Sequence, residues 1–141
     1  MQDLDSQCVQ DGPFKNLGLH METGNNYADY CLSRSFDFSS LEGGNRTNIE
    51  AFYQQPTYDD AWPCYFFHPH AARHTGTGGV MTNVNQCPGD PVFFLHHAYL
   101  DRLWWRWQQA DLPARLYEMG GINVLDATAL ELIGESPVSV W

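Results

Sequence analysis

Three histidines have the spacing of a metal site. His70 and His74 are four residues apart in the segment PHAARH, so on a helix they share one face. His97 lies in the middle of a later stretch, GDPVFFLHHAYLDRLWWRWQQ, which runs from Gly89 to Gln109. Imidazole suits copper and zinc, and three protein ligands with an open position are typical of a site that does chemistry. The pattern therefore predicts one metal site made by these three histidines.

A surface pair that binds nothing is the alternative, because a single HxxxH spacing often arises by chance. His97 favours the metal site, since a polar residue on an aromatic face is costly unless it has a partner. Phe93, one helical turn before it, could pack on the imidazole and fix its plane. Asp101, one turn after it, could accept a hydrogen bond near the site or pair with Arg102.

The stretch around His97 predicts one long helix. Asp90 is a good N-cap, and Pro91 suits the first helical position, where its missing N–H costs nothing. Large residues then recur at steps of three and four, so they share a face. The predicted face consists of Phe93, His97, Leu100 or Asp101, Trp104 and Trp107.

The rest of the chain predicts short elements joined by loops. Thr47–Glu50 fits a capping box, which indicates a short helix over about residues 48–54. The segment YDDAWPCYFF reads as an aromatic connector, and Pro69 then opens a second short helix that carries the first histidine pair. Residues 1–46 are predicted as loops with one short strand, and residues 122–141 as extended pieces and turns.

Composition and charge limit the class of protein. The 141 residues suffice for one domain or part of one, and a hydrophobic content of 43% supports a core. The formal net charge is −10 and there is no run of basic residues. We therefore expect neither nucleic acid nor an anionic membrane surface as a partner. No apolar stretch reaches the length that spans a membrane.

Cysteines and a sequon bear on the compartment. The four cysteines are Cys8, Cys31, Cys64 and Cys87. We expect Cys8 to pair with Cys31, and Cys64 with Cys87, because each disulfide would close a short loop. The alternative is that these cysteines are buried free thiols. Asn45 begins the sequon NRT, a candidate for N-glycosylation. Both features suit a secreted parent, whereas the first residues show no signal peptide, so the location stays open.

The two histidine segments together resemble a known family. DPVFFLHHAYLDRLWWRWQ is similar to the copper-B signature of tyrosinases, catechol oxidases and hemocyanins, the type-3 copper proteins. PHAARHTGTGGVM resembles the block that carries the first two copper-B ligands of that family. GPFKNLGLH, CLSR and LELIGESPVSV also resemble segments of short fungal members, so the resemblance covers most of the chain. It implies a mainly α fold, half of a type-3 copper four-helix bundle, with loop-rich flanks.

The resemblance also implies a ligand set. In this family the second histidine of the HH pair is the ligand. His70, His74 and His97 would therefore hold one copper ion, and His96 would not. In the complete family site there are two copper ions, each held by three histidines.

Four further roles come from the resemblance. Phe93 resembles the phenylalanine that packs on the third ligand. Thr75, after the second ligand, and Val84, in the following loop, match positions that border the substrate entrance. Met81 matches the methionine of the GGxM pattern, close to the copper.

The histidine count predicts an incomplete centre. The six histidines of the chain are His20, His68, His70, His74, His96 and His97. No segment resembles the copper-A blocks of the family. We therefore expect residues 1–141 to form a single tyrosinase copper-binding domain, the C-terminal copper-B portion, without the copper-A portion.

The implied reaction is the oxidation of o-diphenols to quinones by O₂ once a complete dicopper centre is present. Its partners would be a phenolic or catecholic small molecule and O₂, together with a copper-A half or a second copy of the chain. Tyrosinases often carry an asparagine and a glutamate where this chain has Ala71 and Trp62, so we expect catechols or aminophenols to be preferred over monophenols. The alternative is a non-catalytic half-domain or partner subunit that holds one copper.

Overall fold

The fold is mainly helical, as predicted, in a computed structural model that describes residues 8–21 and 27–120. The elements are β1 (Gly18–Met21), β2 (Tyr27–Cys31), α1 (Phe38–Leu41), α2 (Arg46–Tyr53), α3 (Tyr58–Tyr65), α4 (Ala71–Thr77), α5 (Pro91–Gln109) and α6 (Leu112–Arg115). The extended pieces predicted for residues 122–141, LELIGESPVSV among them, lie outside the described residues. Within the described ranges, every helix is too short or too polar to cross a lipid bilayer.

The longest helix, α5, begins and ends where the sequence predicts. The Asp90 side chain accepts a hydrogen bond from the Val92 N–H at 2.9 Å, and Pro91 takes the first helical position. The buried residues of α5 are His96, Leu100, Leu103 and Trp107. This stripe differs from the predicted one, because His97 and Trp104 are only half-buried.

The hydrophobic core lies between the C-terminal half of α5 and helices α2 and α3. Phe52 from α2 and Ala61 from α3 pack there against Trp107, and all three are fully buried. The Trp107 indole N–H donates to the Gln55 carbonyl at 2.9 Å, so its polar atom is satisfied. Trp104 adds a stacked contact, with its ring centroid 6.1 Å from that of Phe52.

One helical path carries the chain from α3 to the end of α4. Residues 66–70 form a π-helical turn in which the Ala71 N–H bonds to the Phe66 carbonyl, five residues earlier. The predicted aromatic connector is therefore wrong, since YDDAWPCYFF forms α3 and the start of this turn. The aromatic rings of α3 are packed and not loose, as the centroid distance of 5.3 Å between Tyr65 and Trp104 shows.

Pro69 was predicted to open a helix, and this prediction is wrong. The residue lies buried inside the π turn. A proline within a helix lacks its N–H and crowds the carbonyl four residues before it. The wider winding of a π turn relieves that crowding and lets the helical path continue. Proline thus changes the pitch here and does not end the helix.

Helix α2 begins two residues earlier than predicted. Asn45 is its N-cap, and the side-chain oxygen accepts from the Asn48 N–H at 3.0 Å. The capping box predicted at Thr47 is therefore wrong. Glu50 pairs instead with Arg46, one turn before it, at 2.6 Å on the exposed face.

The N-terminal region contains two strands, one more than predicted. β1 and β2 pair antiparallel, with Gly18 opposite Cys31. Cys8 is bonded to Cys31, the pairing that the sequence favoured. The second predicted bond is absent from the described structure, where Cys64 and Cys87 are not bonded to each other. Cys64 packs beside the aromatic core, whereas Cys87 is buried in the turn before α5, so the two lie in different parts of the molecule.

The segment after β2 holds the end of α4. The Ser35 and Asp37 N–H groups donate to the Thr77 and Gly76 carbonyls, each at 2.9 Å. A Cβ at Gly78 would lie 2.2 Å from the Ser35 carbonyl oxygen, so only glycine permits this close approach.

The same segment also holds the start of α5. Arg34 donates to both carboxylate oxygens of Asp90, at 2.9 and 2.7 Å. Asp90 is fully buried, so this bidentate pair is largely shielded from water. Residues 33–37 therefore fix the end of α4 against the start of α5, the two helices that carry the histidines.

Candidate metal centre

Four histidines converge where the π turn, α4 and α5 meet. One ring nitrogen from each lies within 4.8 Å of the corresponding nitrogens of the other three. The four are His70, His74, His96 and His97. All three predicted ligands belong to this cluster. His96, which was not predicted as a ligand, is only 6% exposed.

The remaining two histidines lie outside the cluster. His68 is exposed on the π turn. His20 is exposed on β1, where its Nδ1 lies 2.6 Å from an Asp29 oxygen. Neither residue was predicted as a ligand, and neither belongs to the cluster.

The π turn brings His70 and His74 together with the histidines of α5. The His70 ring centroid lies 4.8 Å from that of His74 and 5.5 Å from that of His97. Phe66, at the start of the turn, lies 5.0 Å from His70 on the same measure. One turn of widened helix thus places the first histidine between an aromatic ring and the rest of the cluster.

A backbone carbonyl fixes the orientation of His74. Its Nδ1 lies 2.8 Å from the Met81 carbonyl oxygen, which can only accept, so Nδ1 carries the proton. The other nitrogen, Nε2, is then unprotonated in the neutral ring, and it lies 3.3 Å from Nε2 of His97. Imidazole nitrogens bind a tetrahedral zinc ion at about 2.0–2.1 Å, which puts two of them about 3.3 Å apart. The pair therefore fits a single metal ion of this size.

Phe93 packs against His97, where the sequence placed it. The two ring centroids are 4.0 Å apart and the planes are inclined by 34°. The contact restricts rotation of the imidazole. That the Phe93 contact positions His97 as a metal ligand stays a prediction.

Burial lowers the pKa of all four imidazoles, because it disfavours the charged form. The pKa falls to about 3 for His70 and for His96, where neighbouring histidines add to the effect of burial. It falls to about 4 for His97, through burial and then the nearby His74. The pKa of His74 is also lowered by burial, although its bond to the Met81 carbonyl opposes the change. At pH 7 the cluster is neutral, which is the state that binds a metal.

One buried nitrogen in the cluster makes no hydrogen bond. It is Nδ1 of His70, and the nearby Phe66 backbone opposes the lowering of the pKa of this ring. A buried polar atom without a partner costs about 1–3 kcal/mol. Protein folds accept such a cost mainly where a group has another task. An all-imidazole set of neutral, buried donors fits a copper or zinc ion.

Two cavities border the cluster, and both contain His70 and His97 in their walls. The first has a volume of about 200 Å³ and is also lined by Thr75 and Val84, which were predicted at the substrate entrance, and by Met81, which was predicted close to the copper. Val84 is 59% exposed and forms the rim, whereas Met81 is 1% exposed and forms the inner wall.

The second cavity, of about 270 Å³, is lined by aromatic residues and by Asp101. Trp62 and Tyr65 form part of its wall. Burial and the nearby Asp101 raise the pKa of Tyr65, so its hydroxyl stays protonated. Asp101 itself is exposed, and among the described residues it makes neither the hydrogen bond nor the ion pair suggested by the sequence. Its positioning role stays a prediction.

Sequence reasoning missed two participants. His96 could have been found, because it precedes Leu100, Leu103 and Trp107 at steps of four, three and four, which is a helical stripe. The Met81 carbonyl could not, because a backbone acceptor leaves no signature in the side-chain pattern.

The sequence matches a family model and several curated fungal proteins. The model of the common central domain of tyrosinase matches residues 2–110. The chain is 44% identical to the tyrosinase-like protein orsC of Emericella nidulans, over 83% of this chain and 37% of the relative. It is 34% identical to the tyrosinase-like protein phomQ1 of Diaporthe leptostromiformis, over 82% and 33%. It is also 34% identical to tyrosinase ustQ of Aspergillus flavus, over 86% and 35%.

The chain thus spans about a third of the length of these relatives. The family model covers most of the chain, including both histidine segments. The structure brings the histidines of those segments into one cluster whose donors suit copper. Sequence match and geometry agree that this chain belongs to the tyrosinase family of type-3 copper oxidoreductases.

Proposed function

We propose that this chain is the C-terminal, copper-B portion of a tyrosinase-type oxidase, and that His70, His74 and His97 hold one copper ion. The observation that carries the proposal is the 3.3 Å approach of the His74 and His97 Nε2 atoms, with His70 beside them. Bound copper, paired with a second copper ion, supplies the reaction with O₂ that oxidises the phenolic substrate. The chain contributes neutral imidazoles, held at their positions before the metal arrives.

The first cavity is the proposed substrate site. Its wall combines the aromatic ring of Phe93 with the apolar side chains of Met81 and Val84, which suits the flat ring of a phenol or catechol. Thr75 is exposed at the entrance, with its hydroxyl bonded to the Ala71 carbonyl at 2.9 Å. The substrate hydroxyls would face the proposed copper ion, and its ring would lie against the apolar wall.

The same cavity favours o-diphenols over monophenols. Ala71, in its wall, has no polar side-chain atom that could hold a water beside a phenol. Trp62 lines the other cavity and also offers no carboxylate. A complete enzyme should therefore oxidise catechols to quinones faster than it hydroxylates monophenols. Equal rates for a matched phenol and catechol would contradict this preference.

A complete dicopper centre needs a second set of ligands, from a copper-A half or a second copy of the chain. Within residues 8–21 and 27–120, one cluster of potential ligands has the geometry of a metal site. That observation also supports the second candidate function, a non-catalytic half-domain or partner subunit that holds a single copper.

Electron paramagnetic resonance of the Cu(II)-loaded chain tests the proposal, with bound copper counted on the same sample. About one copper per chain with a full signal supports a mononuclear copper-B site. Bound copper with little signal indicates two coupled ions and an assembled centre. His97→Ala should abolish binding, whereas the matched control His68→Ala, on the exposed face of the π turn, should not. Equal binding by both variants would refute the ligand assignment.

A further inference from the structure

The three proposed ligands are held in place in different ways. His74 donates its Nδ1–H to the Met81 carbonyl at 2.8 Å. His97 has the Phe93 ring against it, with centroids 4.0 Å apart. His70 has no such hydrogen bond, because its Nδ1 is buried without a partner. The Phe66 ring contacts the His70 imidazole, with centroids 5.0 Å apart, and a residue of α5 contacts the His70 backbone.

His96 contacts His70 twice. Its Nε2 lies 3.2 Å from the His70 carbonyl oxygen, which can only accept, so the Nε2–H is the donor. The two imidazole rings also lie nearly parallel, with planes inclined by 4° and centroids 5.9 Å apart. Because His96 precedes His97 on α5, these contacts tie the first ligand to the helix that carries the third.

The hydrogen bond from His96 reaches the π turn, where the backbone has the greatest need of support from outside the helix. Pro69 lies inside it and has no N–H to give to the backbone ladder. The turn therefore has fewer internal hydrogen bonds than an ordinary helical turn. A bond from a buried side chain on α5 replaces part of that support, and it does so at the residue that must stay in register with His97.

We infer that His96 is a positioning residue and not a copper ligand: through the His70 carbonyl it holds the first ligand at a fixed distance from the third. This inference rests on the proposed copper site. Groups behind the ligands commonly change metal affinity by about 10–100-fold when they are replaced.

Two variants at this position separate positioning from ligation. His96→Leu removes the donor and keeps an apolar side chain, and we expect it to weaken Cu(II) binding about 10–100-fold, with one copper still bound at saturation. His96→Gln keeps an N–H that can reach the carbonyl, so it should recover most of the affinity. Competition with a chelator of known affinity measures the Cu(II) affinity of each variant. Far-UV circular dichroism of the copper-free proteins checks that they are folded.

The nitrogen couplings in the Cu(II) spectrum provide a second readout. The wild type and His96→Gln should show the same number of coordinated nitrogens. Loss of one nitrogen in His96→Gln would show that His96 is a ligand and would overturn the inference. Unchanged affinity in a folded His96→Leu would overturn it as well.

A measurement on the copper-free wild type needs no variant. Nitrogen-15 NMR at neutral pH should show His96 as the tautomer protonated at Nε2, and finding the proton at Nδ1 would refute the inference even if His96→Leu fails to fold. The two proposals fail differently. A wild type that binds no copper refutes the proposed function, whereas a wild type that binds copper with the His96 proton at Nδ1 refutes only the role of His96.

Discussion

The two halves of α5 are stabilised in opposite ways. The C-terminal half buries Leu103 and Trp107 among aromatic rings. The N-terminal half buries His96, while its neighbours Phe94 and Leu95 are 62% and 74% exposed. One half follows the usual rule of apolar residues inside, and the other reverses it. The comparison teaches that packing at one end of a helix can support costly polar groups at the other end.

The largest expected effect comes from breaking the aromatic half. Trp107→Ala removes a fully buried side chain at the centre of the core, so it should lower the free energy of unfolding by about 3–5 kcal/mol. Urea denaturation of the copper-free protein measures the loss. The matched variant in the other half, His97→Ala, should change stability by less than about 1 kcal/mol. Equal losses of unfolding free energy in the two variants would show that both halves of α5 contribute alike to stability.

The second prediction concerns the join between the N-terminal segment and α5. Arg34→Met leaves the Asp90 carboxylate buried without its partner, so the free energy of unfolding should fall by about 3 kcal/mol. Adding Asp90→Asn removes that charge and should recover part of the loss. The same denaturation assay checks both variants. A change within about 0.5 kcal/mol for Arg34→Met would mean that the ion pair does not hold the start of the helix.

The third prediction is that the free energy of unfolding depends on pH through the buried histidines. The unfolded chain takes up protons on its histidines as pH falls through their ordinary value of 6.5, whereas folded His70 and His97 do so only near pH 3 and 4. Stability should be full above pH 6.5 and should fall progressively below it. Urea denaturation of the copper-free protein across this window measures the slope.

A variant identifies the source of that slope. His70→Gln removes one such group and should flatten the dependence between about pH 6 and 4. Asp37, whose pKa is lowered to about 2 by hydrogen bonds from Ser39 and Ser40, stays charged in both states until pH approaches 3.8, so it acts in a lower window. Equal stability at pH 7 and pH 5 in the wild type would contradict the prediction.

The smallest effect concerns the start of α2, which brings Phe52 to the aromatic half. Asn45→Ala removes the N-cap and should cost about 1 kcal/mol, whereas Thr47→Ala should cost clearly less. A larger cost for Thr47→Ala than for Asn45→Ala would favour the capping box over the observed cap. Both variants destroy the sequon. If Asn45 carries a glycan in a host that glycosylates, both should therefore lose the same mass.

Local signals explain what the sequence predicted well. The start of α5 follows from Asp90 and Pro91, which act on their own helix whatever packs around it. The histidine cluster was predicted from spacing and resemblance, and three of its four members were assigned. His96 was missed because the predicted face runs through His97, whereas the buried stripe of α5 runs through His96.

Contacts between distant segments explain what the sequence predicted badly. The segment YDDAWPCYFF was predicted as a connector and Pro69 as the start of a helix, yet Pro63 and Pro69 both lie within helical turns. The rings of Trp62 and Tyr65 pack against Trp104 of α5, and this packing outweighs the local preference of proline. The disulfide predicted between the last two cysteines failed for the same reason, because sequence separation does not show which elements meet.

The Arg34–Asp90 pair has a consequence for the order of folding. It joins residues 56 apart, whereas a helix such as α5 forms from contacts between close neighbours. Helices of this length form in about a microsecond, but closing a long loop first requires the chain to lose much of its freedom. The ends of α4 and α5 meet only when residues 33–37 have docked between them. We therefore expect copper-binding capacity to return after helical structure during refolding, with the metal site assembled among the last parts of the molecule.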